Sequence, residues 1–322
     1  GWLPSGDRDV RGAPIPDALP IGTYLGVMGC EFLGGTPAPG FGGSAPCGSY
    51  EVPVGQCNAG MRNVTMNGVL NTISQELVPT KYRPIPLVRS PVIFDPMATA
   101  PLFKKTVTEI FEGDKEMVRY IYQLFGYILM GKRTYQWFVV FLGPSSSNGK
   151  NTLADLLLHL LGDYAATLPI TTIMTKSMVT DGATPTLARL EGKRLAVVSE
   201  PNPKHTIDSG AVKSLTGDKI FSVRKIYEDS KDIHLDFLLL MLANTLPVVR
   251  DNDHGLWRRM QVIPFNRHFT KEEADLDLAD KLTREAPGIL NIMLAGASEY
   301  LNHPDGIQVP VKVTAAINQQ KT

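Results

Sequence analysis

The sequence predicts an α/β fold, a mostly parallel sheet between helices with small helical segments before and after it. Three observations predict it. An apolar, β-rich run, QWFVVFLG, ends at Gly143 and is followed by a polar Gly/Ser loop and then by LADLLLHLLGDY, whose leucines surround most of a helix; strand, loop and buried helix form the opening unit of such a sheet. Further runs, RLAVVS (194–199), LDFLLLMLAN (235–244) and MQVIP (260–264), are nearly continuously apolar, as strands covered on both faces must be. Apolar residues at helical spacing flank the whole block.

Taken in order, residues 1–66 form an irregular segment, rich in Gly, Pro and Ser (GGTPAPGFGGSAPCGSY) and without useful periodicity. Residues 67–135 read as a helical subdomain. Phe103, Val107, Ile110 and Phe111, then Met117, Ile121, Leu124 and Ile128, fall at helical spacings, with Gly113-Asp114 as the break. Residues 136–268 hold the sheet. Within them Lys219–Ile226 and Asp232–Phe237 alternate like two strands joined by a polar turn. Residues 269–322 turn helical again, through KEEADLDLADKL and ILNIMLAGASEYL, before a Pro-marked tail.

The 322 residues are 43% hydrophobic, enough for a core of ordinary size. Lys+Arg and Asp+Glu are both 32, so net charge gives no sign of a nucleic-acid partner and any such contact must be local. No apolar run reaches the roughly 20 residues that span a bilayer, and the first residues, GWLPSGDRDV, carry no apolar signal core. The expected location is the cytoplasm, in a host cell's interior. Cys30, Cys47 and Cys57 match no zinc spacing and read as free thiols. The missing initial Met and the polar end at Gln319-Gln320-Lys321-Thr322 read as those of a piece of a longer protein.

The strongest chemical signal is Gly143-Pro-Ser145-Ser146-Ser147-Asn148-Gly149-Lys150-Asn151-Thr152. In a phosphate loop, small residues let successive backbone N–H groups curl around phosphate oxygens, the next helix points its positive end at them, and the lysine reaches the β/γ phosphates. Two details depart from the usual G-x4-G-K-[ST] pattern: five residues separate Gly143 from Gly149, and Asn151 stands where a Mg-binding hydroxyl is expected, with Thr152 one place late. A Ser/Gly turn with an incidental lysine is the plain alternative, but the strand and helix context fits the phosphate loop.

Glu200 follows the RLAVVS strand, and groups at carboxyl ends of parallel strands gather at one edge. It is a candidate to hold Mg through water or to polarise an attacking water. Asn244 ends the LLLMLA run, a place where an amide orients a lytic water, senses a γ-phosphate or caps the turn before Pro247. Arg258 and Arg259, in GLWRRM, are candidate cations for a γ-phosphate, acting in the manner of an arginine finger, or surface ion-pair formers. Lys213, Lys219, Arg224, Lys225 and Lys231 make the stretch from Lys213 to Phe237, which contains the hairpin, basic, although Glu228, Asp229 and Asp232 dilute its charge. A basic hairpin suits backbone tracking of single-stranded DNA; a solvated surface hairpin is the alternative.

With these residues in order, the chain resembles the superfamily 3 helicase domain of phage, plasmid and poxvirus-type primase-helicases. The resemblance covers roughly residues 67–313 and is densest in NGK, LLGDY, LARLEGKRLAVVSEP, KSLTGD, ANTLP, LWRRMQVIPFN and EAPGILNIMLAG. It implies an AAA+-type P-loop ATPase core, a homo-hexameric ring, ATP and Mg2+, and translocation on single-stranded DNA. Position by position it assigns Gly149, Lys150 and the Asn151/Thr152 pair to the phosphate loop, Glu200 to the acidic end of the second motif, Thr216–Lys225 to the DNA-contacting hairpin, Asn244 to the sensor and Arg258/Arg259 to the trans-acting arginine region. A primase domain usually lies upstream in such proteins, and residues 1–60 show no sign of its chemistry. Two other readings stay open: a nucleotide-binding, DNA-binding ring with weak or no hydrolysis, which Asn151 favours, and a P-loop phosphotransferase, which leaves the basic hairpin and arginine pair unused.

Overall fold

A computed structural model describes residues 89–174, 185–199, 206–224, 229–249 and 253–319, together with the backbone of three short strands before them. Those strands, β1 (Arg62–Val64), β2 (Gly68–Asn71) and β3 (Leu77–Pro79), pair antiparallel in the order β1-β2-β3. They straddle residue 66, where the sequence suggests irregular chain passing into a helical unit; their brevity, with Gly68 and Pro79 among their ten residues, hides them from a periodicity argument. Glu200, Lys225 and the three cysteines lie outside the described residues.

Helices α1 (Pro101–Ile110) and α2 (Lys115–Met130) follow. The break between them forms because Asp114 caps α2, its side chain accepting from the N–H groups of Glu116 and Met117. The main sheet then begins with β4 (Phe138–Leu142), continues through α3 (Lys150–Leu161) to β5 (Ala165–Leu168), and passes a single-turn helix α4 (Pro185–Ala188) to β6 (Leu195–Ser199). Helix α5 (Ser209–Gly217) leads into an antiparallel hairpin of β7 (Ile220–Arg224) and β8 (Ser230–His234), and the chain returns to the sheet as β9 (Leu238–Ala243). After α6 (His254–Trp257) come β10 (Met260–Pro264), α7 (Leu278–Arg284), α8 (Ala286–Asn302) and α9 (Val311–Gln319).

The sheet order is β10-β4-β9-β6-β5, and every pairing is parallel. From β4 the chain crosses to the far edge at β5, returns through β6 and β9, and finally passes to the other side of β4 as β10. The strand that leads into the loop expected to bind phosphate is therefore where the winding reverses, the place at which open α/β sheets bind ligands.

Successive strand residues point to opposite faces, and both faces are buried. Val139, Phe141, Leu195, Val197, Leu240 and Ile263 join α1, α2, α3, α7 and α8 in one core; Phe138, Val140, Ala196, Val198, Met241 and Val262 join α5, the hairpin and Ile317 of α9 in the other. This is the expected sheet between helices. The helical segments before and after the sheet pack on each other: α2 meets α8 so closely that a Cβ added at Gly126 would lie 2.3 Å from the Ala297 nitrogen, and Glu285 accepts hydrogen bonds from the N–H groups of Leu102 and Phe103 at the start of α1. The Pro-marked tail contains a further element, α9, which carries Lys312 to within 2.6 Å of Asp114.

Candidate functional site

The parallel register brings Leu142, Ala243 and Pro264 to one edge of the sheet, since Leu142 pairs with both of the others. Gly143 and Asn244 are the next residues of their strands, so the loop and the candidate sensor are adjacent by construction. Gly143 N–H donates to the Ala243 carbonyl at 3.0 Å. Lys150, the first residue of α3, is 4% exposed, and its ammonium donates to Asn244 Oδ1 at 2.6 Å and to the Gly143 carbonyl at 3.4 Å.

Local sterics explain the residue types. Gly149 sits at φ +85°, in the left-handed region, and an added Cβ would come 2.5 Å from Ile110 of α1; both conditions exclude a side chain. Asn148 is 2% exposed and turns its amide into the loop, donating to the Ser145 carbonyl at 2.6 Å and accepting from Lys150 N–H at 3.4 Å. A Cβ on Gly143 would overlap that amide at 2.0 Å. The Asn148 side chain is thus a staple of the loop, a role that its place in the motif does not reveal. Ser146, Ser147 and Asn151 are exposed, whereas Ser145 and Thr152 are half-buried. Thr152 lies on the first turn of α3, one residue beyond Asn151.

The arginine pair divides. Arg259 is 9% exposed, donates to the Gly255 carbonyl at 2.8 Å, and its own carbonyl receives Phe138 N–H; burial lowers its pKa from the usual arginine range, with the charge of Arg258 adding to the effect. It is a packing residue, which corrects the expectation that either arginine can reach a phosphate. Arg258 is exposed. Both precede β10 and so stand at the strand end opposite the Gly143–Gly149 loop, about 16 Å away for a five-residue strand. Within one subunit neither can serve the site that Lys150 and Asn244 form. Asp253, capping α6 and paired with Lys213 at 2.6 Å, fixes the turn that presents Arg258.

The hairpin also stands at that opposite end. Leu235 N–H bonds the Lys219 carbonyl and Leu238 N–H bonds the Arg194 carbonyl, at the entrances to β9 and β6. Val223 and Ile233 face the core while Lys219, Arg224 and Lys231 are exposed. Lys231 is paired with Glu191 at 2.7 Å, and Lys213 lies on α5 ahead of the hairpin, paired with Asp253. Arg133, which sequence reasoning does not single out, holds this region together by donating to the carbonyls of Leu215 and Asp218.

Comparison with known proteins places this geometry. A family described as "Family of unknown function (DUF5906)" matches residues 141–259. "Putative helicase L207/L206" of Acanthamoeba polyphaga mimivirus is 31% identical over 220 residues, 63% of this chain and 23% of that protein. "Putative helicase 022R" of Frog virus 3 is 33% identical over 162 residues, 45% of this chain and 17% of that protein. The chain is related to helicase-named proteins of large DNA viruses. "Putative primase C962R" of African swine fever virus aligns more distantly, at 23% over 115 residues. The chain spans less than a quarter of each of these relatives. Among solved structures, the apo C-terminal region of NrS-1 superposes with a TM-score of 0.53 at 15% identity, covering 76% of this chain and 56% of that one, a likeness of fold. Among the described residues no helix is long and apolar enough to cross a membrane.

Proposed function

We propose that this chain is the ATP-hydrolysing motor of a viral, phage or plasmid DNA-replication helicase, an AAA+-type superfamily 3 domain that works as a homo-hexameric ring on single-stranded DNA inside the host cell. The observation that carries this reading is the bond from the Lys150 ammonium to Asn244 at the mouth of a glycine-bounded loop. It is joined by relatives whose names say helicase or primase.

The loop fits a nucleoside triphosphate. It opens on the N-terminus of a 12-residue helix, presents an ammonium at that end, and has a glycine in the one left-handed position where a Cβ would also collide. Lys150 pairs with the β/γ phosphates, and Asn244 orients the water or senses the γ-phosphate. Thr152, Asn151 and Glu200 are the residues assigned to the magnesium ion that accompanies the nucleotide; bound there, the ion neutralises charge on phosphate oxygens. Glu200 polarises the attacking water. Arg258, exposed and at the far strand end, serves the site of a neighbouring subunit, so turnover requires assembly. Lys219, Arg224 and Lys225 track the DNA backbone. An upstream primase domain and other replication proteins are the expected partners in a longer polypeptide.

Asn151 in the hydroxyl position favours a second reading, a ring that binds ATP and DNA with little hydrolysis. Displacement of a labelled strand from a forked duplex decides between them. The motor reading expects Mg-ATP-dependent displacement that Lys150→Ala abolishes; tight ATP binding with no displacement supports the second.

A further inference from the structure

The phosphate loop is gripped from outside by the segment that follows β10. Phe265 N–H donates to the Leu142 carbonyl at 2.7 Å and Phe269 N–H to the Ser147 carbonyl at 2.8 Å. Between them, His268 Nδ1 lies 3.0 Å from the Ser146 carbonyl oxygen. A carbonyl oxygen only accepts, so Nδ1 carries the proton in this contact. The segment is itself braced: Arg267 pairs with Glu273, and Glu273 accepts from Thr270 N–H.

These two contacts orient two successive peptide planes. In a planar trans peptide the N–H points opposite to the carbonyl that precedes it. With the Ser146 and Ser147 carbonyls turned toward the segment after β10, the N–H groups of Ser147 and Asn148 turn away from it. Because β4 lies between β10 and β9, that direction is the side on which Lys150 meets Asn244. Ser147 stands at φ +54°, a left-handed conformation that serine adopts only when its surroundings impose it. The loop is also one residue longer than the common phosphate-loop spacing.

We infer that His268 is a positioning residue for the nucleotide: its ring N–H, together with the Phe269 main-chain N–H, holds the peptide planes that aim the Ser147 and Asn148 amides at phosphate oxygens. The inference rests on the reading of the loop as a nucleotide site. The lengthened loop is held by a strap that follows the neighbouring strand β10, whose opposite end is preceded by Arg258.

The test compares His268→Ala and His268→Asn with the wild type; the Asn amide nitrogen stands close to where the ring Nδ1 does. Two quantities are read: hydrogen exchange at the Phe269 amide without nucleotide, and the Kd for a fluorescent N-methylanthraniloyl ATP with Mg2+. Loss of one hydrogen bond of this kind predicts exchange faster, and binding weaker, by about five- to tenfold in His268→Ala, with both recovered in His268→Asn and the thermal midpoint little changed. Unchanged exchange, or unchanged binding in His268→Ala, overturns the inference while the nucleotide site stands. A wild type that binds no nucleotide overturns the site itself, and with it the purpose assigned to the strap.

Discussion

The Lys150 ammonium lies 2.6 Å from Asn244 Oδ1, a contact between the first residue of α3 and the residue just past β9. In the proposed site it ties the lysine assigned to the β/γ phosphates to the amide assigned to the γ-phosphate. Asn244→Ala is expected to reduce ATP turnover by about 10²- to 10³-fold, the usual loss for a polar group acting on the reacting centre, with a KM change of only a few fold. Steady-state kinetics check the split; a change confined to KM would make Asn244 a ground-state contact.

Arg258 and Lys150 belong to different sites of one ring in this account. Arg258→Ala and Lys150→Ala are each expected to be inactive alone. Mixed one to one in a ring with random placement, about one quarter of interfaces combine an intact lysine with an intact neighbouring arginine, so the mixture should recover activity. A mixture as inactive as its components contradicts a shared site. Arg259→Ala behaves differently, lowering stability by about 1–3 kcal/mol through the loss of its partly buried bond to the Gly255 carbonyl, as thermal denaturation will show.

Double replacement of Lys219 and Arg224 by Ala should flatten the salt dependence of single-stranded DNA binding. Each lost phosphate contact removes about 0.7 from the slope of log K against log salt. An unchanged slope would return the hairpin to an ordinary solvated surface.

Asp114 gives a pH prediction. The hydrogen bond from the Lys312 ammonium, and then that from Met117 N–H, hold its carboxyl below the usual range. A carboxyl whose pKa is lower in the folded state contributes stability above its unfolded pKa, and that contribution is lost as pH falls through the folded pKa. Asp114→Ala should therefore cost about 1 kcal/mol near neutrality, and the part of that difference that depends on the carboxylate's charge should be lost at acid pH. Denaturation midpoints measured from pH 6 down to pH 2 follow it, with Asp114→Asn keeping the cap and losing the pH dependence.

The fold was legible where burial leaves a mark on the sequence. β4, β9 and β10 are buried on both faces and so read as apolar runs, and the α1–α2 break announces itself through Gly113-Asp114. β5 left no such mark, because Ala165, Ala166 and Thr167 on the sheet edge are only partly buried or exposed. α9 was missed because only Val313 and Ile317 of its nine residues are buried, too weak a stripe to read after Pro310. Lys150 stands out in the sequence from its place in the glycine-bounded loop that opens α3, and Asn244 from its place just past β9. The inward turn of Asn148, the burial of Arg259 and the grip of His268 on Ser146 are tertiary, made by residues distant in sequence or by side-chain direction, and no local pattern distinguishes them. Glu200 and Lys225 rest on the sequence argument alone.

The most direct test of the central claim is Mg-dependent ATP hydrolysis with and without single-stranded DNA, for wild type and Lys150→Ala over a range of protein concentrations. The account predicts turnover that needs Lys150, rises with DNA and grows more than linearly with concentration as sites form between subunits. ATP binding without turnover, or turnover indifferent to DNA and strictly linear in protein, would contradict it.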